Sequence, residues 1–166
     1  MTTLTTGRLA LREMTDADLD DMAALLGDEQ LMRYYPRPKT REEAQGWINW
    51  NKGLYQEHGF GLWLVTLADT GEFVGDCGLT VQQVDGVAEI EVGYHVRSDL
   101  QGLGYATEAA AAARDFGRDT LGLQRLIAII NPDNTPSQRV AAKIGLQPEK
   151  RSVVFGQERV IFAGTP

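Results

Sequence analysis

The sequence predicts an α+β fold, a single domain over residues 1–166 built round a mixed sheet. Three observations carry that expectation. Strand-like runs cluster in the middle of the chain, two amphipathic helices precede them, and a β-α-β-α stretch follows. A length of 166 residues suits one domain with a sizeable core. No internal repeat, low-complexity tract or linker interrupts it.

Gly7–Glu13 alternates through Leu9 and Leu11 and reads as a strand. Thr15 or Asp16 caps a helix whose apolar positions are Leu19, Met22, Ala23, Leu25 and Leu26. Tyr34-Tyr35-Pro36-Arg37-Pro38 breaks the pattern. Thr40 and Glu43 stand at capping-box spacing. The helix they open carries Ala44, Trp47, Ile48, Trp50 and Leu54, and stops near Gly59. Leu62–Leu67, Phe73–Val81 and Val87–Val96 form an antiparallel meander, with turns at Asp69-Thr70-Gly71 and near Asp85-Gly86. A helix from about Tyr105 to Thr120 places Ala106, Ala109, Ala110, Ala113 and Phe116 on one face, small enough to lie close to a sheet, and Gly122 ends it. Arg125–Ile130 is a buried strand. A last helix runs from about Pro136 to Ile144 and ends at Gly145. Val153–Phe155 and Arg159–Phe162, on either side of Gly156, close the chain as a hairpin.

Composition narrows the function classes. No apolar run approaches the ~20 residues of a membrane span, and MTTLTTGRLALRE lacks the charged, apolar and cleavage segments of a secretory signal. Cys77 is the one cysteine, so no internal disulfide forms. A cytoplasmic protein with no membrane partner is expected. A net charge of −7 argues against general nucleic-acid binding, which needs clustered Lys and Arg. Residues 1–83 carry 7 basic and 13 acidic side chains, residues 84–166 carry 9 and 10. The acidic half either attracts a cationic substrate or is a solvated surface.

The most informative stretch is Gln101-Gly102-Leu103-Gly104-Tyr105-Ala106, between a strand and a helix start. A helix N-terminus presents unpaired N–H groups and a positive dipole end. Glycines let the backbone approach an anion closely, so the stretch can cradle a phosphate with no basic side chain. Three readings stand. The loop is a connection without a ligand, a dinucleotide site, or a coenzyme A pyrophosphate site of the pattern Q/R-x-x-G-x-G/A. The dinucleotide pattern has Thr107 in place of its third glycine, and the following strand ends at Asn131, not an acidic residue. Gln101, Gly104 and Ala106 match all three fixed positions of the coenzyme A pattern.

With these motifs in order, the sequence resembles the GNAT superfamily, within it the group of ribosomal-protein N-terminal acetyltransferases. TGRLALREMTDADLDDMAALLGDEQLMRYY is similar to that group's opening strand and helix, and VGDCGL and EIEVGYHV to its central strands. QGLGYATEA resembles its coenzyme A loop, and NPDNTPSQRVAAKIGL its later N-x-x-S and K-x-G-F motif. The resemblance implies a twisted mixed sheet, helices on both faces, splayed between its fourth and fifth strands, roughly Val87–Val96 and Arg125–Ile130. It implies that main-chain groups of Tyr94, His95, Val96 and Arg97 pair with the pantetheine arm like an added strand. Amides of Leu103, Gly104, Tyr105 and Ala106 then hold the pyrophosphate, Gln101, Gly102 and Ser137 are further cofactor-binding positions, and Asn134 contacts the pantetheine region. Two departures exist. His95 stands where many relatives carry a bulky aromatic residue, and Leu146 replaces the usual Phe.

The implied activity is acetyl-CoA-dependent N-acetylation of a primary amine by direct attack in a ternary complex, with no metal. A protein N-terminus is the first acceptor expected; aminoglycosides or polyamines are alternatives. A non-catalytic acyl-CoA-binding module is the competing class, and monomer and homodimer both suit the fold. Acetyl transfer needs a neutral amine, a stabilised oxyanion and protonation of the leaving thiolate. An α-amine is roughly one-third neutral near pH 7.5, a lysine only about 0.1%. Strand alternation sets Glu89, Glu91, Gly93 and His95 on one face. Glu91 is the preferred base and His95 an alternative; replacing Glu91 by Gln is expected to slow turnover most at low pH. Ser137, of the N-x-x-S motif, is the candidate proton donor to sulfur, or a helix-start serine serving the backbone. The Val96 or Arg97 N–H is an oxyanion donor by family analogy. Tyr34 and Tyr35 are candidate pocket-lining residues, Trp47 and Trp50 core residues, Arg139 and Lys143 candidate phosphate contacts, and Cys77 a buried strand residue.

Overall fold

The computed structural model describes residues 1–166. β1 (Thr3–Thr5) and β2 (Leu9–Arg12) form an antiparallel hairpin. The single strand expected at Gly7–Glu13 is thus the second of two, because the chain turns at Thr6, whose Oγ1 accepts from the Leu9 amide at 3.0 Å. A 3-10 turn capped by Thr15 leads into α1 (Leu19–Leu26).

α2 (Arg41–His58) opens on the expected capping box: Glu43 N donates to Thr40 Oγ1 at 3.1 Å, and Thr40 N to Glu43 Oε1 at 3.0 Å. It ends at Gly59, whose left-handed φ of 77° a residue with a Cβ would adopt only at a cost. Buried Asn51 fastens the helix to β3 (Leu62–Leu67): its Oδ1 accepts the Leu62 amide at 2.8 Å and its Nδ2 donates to Trp47 O at 3.0 Å. Tyr55 completes the join, its hydroxyl accepting from Met14 N at 3.1 Å and donating to Leu62 O.

β4 (Phe73–Val84) and β5 (Val87–Val96) complete the meander. Then come α3 (Tyr105–Asp119), β6 (Leu126–Ile130), α4 (Thr135–Lys143), β7 (Gln147–Val154) and β8 (Gln157–Gly164). The closing hairpin begins six residues earlier than expected, at Gln147 rather than Val153. Its early part, Gln147–Ser152, is a mostly exposed edge strand whose polar run shows no alternation to read. No helix is long and apolar enough to cross a membrane.

The eight strands make one mixed sheet of order β1-β2-β3-β4-β5-β6-β8-β7. Register puts Leu64, Asp76 and His95 in one cross-strand row, and Trp63, Cys77 and Tyr94 in the next. The rows face opposite sides. Trp47 of α2 bonds Asp76 on one side. Trp63 packs edge-on against Phe116 of α3, ring centroids 5.1 Å apart, and Tyr94 reaches Ser137 of α4 on the other. Helices therefore cover both faces, with α1 packed on α2. Ala109, Ala110, Ala113 and Gly117 form the buried stripe that lets α3 lie close to the sheet.

β5 pairs with β4 from end to end but with β6 through the single parallel pair Glu91–Ile127. Beyond Val92 the two strands part. The expected splay is there, and the extra N-terminal strand makes it fall between the fifth and sixth strands.

Candidate active site

The glycine loop arrives at the head of α3 with its donors free. Gly102 and Gly104 both take left-handed φ, 80° and 85°, and Gly104 is the N-cap residue with no side-chain cap. None of the amides of residues 102–107 donates to any group of the protein. Unbonded helix-start amides at an exposed loop suit an anionic diphosphate, so the residues present fit coenzyme A. A cation stands beside the loop too. Arg8, just before β2, donates from Nη1 to Leu103 O at 2.9 Å and from Nε to Glu108 at 2.8 Å, and lies 4.5 Å over the Tyr105 ring. Nothing in the spacing of the sequence marks Arg8. Arg8→Ala is expected to weaken coenzyme A binding about tenfold, the worth of one charge-assisted contact. Stability should shift by less than about 1 kcal/mol, because the Arg8–Glu108 pair is solvent-screened. Calorimetry and thermal melts check the two halves.

The edge of β5 is equally specific. Arg97 N donates to Val74 O at 2.9 Å. Ladder alternation then turns the main-chain groups of His95 and Arg97 into β4, and those of Tyr94 and Val96 towards the opening beside β6. The Val96 carbonyl accepts from Gln101 Nε2 at 3.1 Å, so Gln101 braces the loop against the strand end. Between the two amides named as oxyanion donors, Val96 N–H faces the opening and Arg97 N–H is spent inside the sheet. The Arg97 side chain is held by Glu72, Asp99 and Phe73 O.

Across the opening, Asn134 caps α4, its Oδ1 accepting Ser137 N at 3.2 Å. Ser137 Oγ donates to the Tyr94 hydroxyl at 3.1 Å, and that hydroxyl donates to Ser137 O at 2.7 Å. Burial pushes the Tyr94 hydroxyl well above its usual range, against the pull of Ser137. Arg139 and Lys143 are exposed on α4. Cys77 is fully buried and its thiol is pushed up by burial, which leaves it inert.

On the α1–α2 side stands the other cluster. Glu91 is half buried, but its Oε2 is sequestered and has no hydrogen-bond partner. Burial pushes its carboxyl up to about 8, with His95 pulling the other way. His95 Nδ1 lies 2.7 Å from Asp76 Oδ1, and its Nε2 lies 2.9 Å from the Tyr35 hydroxyl. Trp47 Nε1 donates to the second Asp76 oxygen at 3.0 Å. Burial alone would push the imidazole down; the Tyr35 oxygen and the Asp76 carboxylate outweigh it and hold His95 up at about 10. Asn131 Nδ2 donates to Tyr34 O at 3.1 Å, tying the tyrosine segment to the end of β6. Tyr35, a candidate pocket-lining residue, is partly exposed and joined to the His95 ring. Trp47 packs half-buried against the core, as expected, and also serves as a hydrogen-bond donor in the cluster. Asp76 is not among the residues the sequence singles out, although a carboxylate within the apolar run of VGDCGL is a signal for it.

A family model described as Acetyltransferase (GNAT) domain matches residues 8–147. The uncharacterized protein YkkB of Bacillus subtilis is 38% identical over 150 residues, covering 90% of this chain and 87% of that one. The crystal structure of an acetyltransferase from Agrobacterium tumefaciens superposes with a TM-score of 0.86 at 26% identity, covering 100% of this chain and 95% of that one. RimL, described as a ribosomal L7/L12 alpha-N-protein acetyltransferase and solved in complex with coenzyme A, shares the fold at TM-score 0.78 and 17% identity, covering 99% of this chain and 98% of that one.

Proposed function

The chain belongs to the GNAT acetyltransferase family, and from that premise we propose that it transfers the acetyl group of acetyl-CoA to the α-amine of a protein or peptide N-terminus. One observation carries the cofactor half: the unbonded amides of residues 102–107 at the head of α3, on the chain segment that leaves the splayed end of β5. RimL, named for α-N-protein acetylation, has the same fold and supports the acceptor half. So does chemistry. An α-amine needs far less help to lose its proton than a lysine does, by a few hundredfold near pH 7.5.

In this reading the Leu103–Ala106 amides hold the diphosphate, and the main-chain groups of Tyr94 and Val96, with Asn134, hold the pantetheine arm. Acetyl-CoA supplies the thioester carbonyl. Glu91 takes the proton from the attacking nitrogen, the Val96 N–H steadies the charge on the carbonyl oxygen, and Ser137 returns a proton to sulfur once its hydroxyl turns from Tyr94. The test is thiol release from acetyl-CoA with N-terminal peptides, N-blocked lysine peptides, polyamines and aminoglycosides, alongside coenzyme A calorimetry. Free N-termini are expected to be turned over fastest. Turnover of polyamines or aminoglycosides alone would reassign the acceptor. Binding without thiol release on any amine would make the chain an acyl-CoA-binding module.

A further inference from the structure

The acid–histidine–tyrosine chain on the α1–α2 face fixes the direction of its last hydrogen bond. The Asp76 side chain is 0% exposed, and His95, at 10%, is the one basic side chain paired with it. A carboxylate sequestered that fully is stabilised far better by a cation beside it than by neutral donors alone. An imidazole also holds a proton more tightly than a carboxylic acid does. The pair is therefore carboxylate and imidazolium, and Trp47 Nε1 satisfies the remaining Asp76 oxygen. Both imidazolium nitrogens are donors. In that charge state Nδ1–H donates to Asp76, 2.7 Å away, and Nε2–H donates to the Tyr35 oxygen at 2.9 Å. With its oxygen already accepting from a cation, Tyr35 has its own O–H free to turn outward, and the residue is 41% exposed.

We infer that the Tyr35 hydroxyl is a one-way hydrogen-bond donor that selects amine acceptors carrying an oxygen close to the amine, such as the first carbonyl of a peptide or an amino-acid amide. This rests on the acetyl-transfer reading above. The same geometry removes His95 from the base role: a charged imidazole paired with a buried carboxylate has no free lone pair. His95 and Asp76 are positioning residues, which orient and polarise Tyr35. Simple alkylamines offer Tyr35 no oxygen and gain nothing from it.

The test is steady-state kinetics of the full chain with an amino-acid amide and with an alkylamine of similar size that lacks oxygen. Tyr35→Phe is expected to raise KM for the amide about tenfold with kcat little changed, and to leave KM for the alkylamine unchanged. Coenzyme A affinity should not move. His95→Asn should raise KM for the amide in the same direction, and add nothing in the Tyr35→Phe background. Should His95→Asn fail to fold, the Tyr35→Phe comparison stands alone. Equal shifts for both acceptors, or an unmoved KM for the amide, would overturn the assignment of Tyr35 while leaving acetyl transfer intact. Absence of thiol release with every amine would remove both.

Discussion

Gly104→Val is expected to lower coenzyme A affinity by roughly a hundredfold or more while costing the fold only about 1–2 kcal/mol. The two numbers have different sources. Gly104 sits at φ 85°, a left-handed conformation that a β-branched side chain resists, and that strain sets the stability loss. A Cβ there would also come within 3.2 Å of Arg8 Nη2, the far end of a flexible side chain that can yield. The affinity loss comes from geometry. If the loop relaxes to a more favourable φ, the amides of residues 103–106 no longer converge, and two charge-assisted contacts at about 1.5–3 kcal/mol each are lost together. Urea melts with and without coenzyme A, and calorimetry on both proteins, separate the terms. Unchanged affinity in a folded variant would mean that the diphosphate lies elsewhere.

That loop was legible in the sequence because its chemistry is carried by the main chain. Gly102, Gly104 and the helical periodicity after Tyr105 suffice to predict free amides at a helix start. The capping box at Thr40 and the meander were legible for the same reason: local residues dictate local geometry. The α1–α2 cluster was not. His95 could be placed on a face with Glu91 by alternation, but Asp76 and Tyr35 lie 19 and 60 residues away in sequence, and only strand register and the turn after α1 bring them to one imidazole. Arg8 is equally invisible in the sequence, since it meets Leu103 and Glu108 across about a hundred residues. The edge strand β7 was missed in its early part because six mostly exposed residues carry no hydrophobic pattern.

Glu91→Gln is the second large effect, and the structure reverses the pH dependence that its sequence position suggests. An exposed carboxylate would be ionised throughout and would matter most at low pH, where free amine is scarce. Burial instead raises Glu91 to about 8. Below that it holds its proton and cannot accept another, so wild-type turnover should climb with pH and level off above about 8. The Gln variant loses the climb, and the difference between the two should widen with pH to roughly a hundredfold, the usual worth of a positioned base. An acceptor amine whose own pKa lies well below 8 keeps its titration out of the window. The same shift makes a stability prediction of fixed sign. A carboxyl raised in the folded state favours folding fully below its ordinary value, and loses that contribution as pH rises through about 8. Between pH 5 and pH 9 the wild type should therefore lose on the order of 2–3 kcal/mol relative to Glu91→Gln, less than a fully buried group because the residue as a whole is half exposed. Parallel urea melts across that range measure the difference directly. Parallel stability curves would mean that Glu91 ionises at its ordinary pH, and a pH–rate profile unchanged by the substitution would take it out of catalysis.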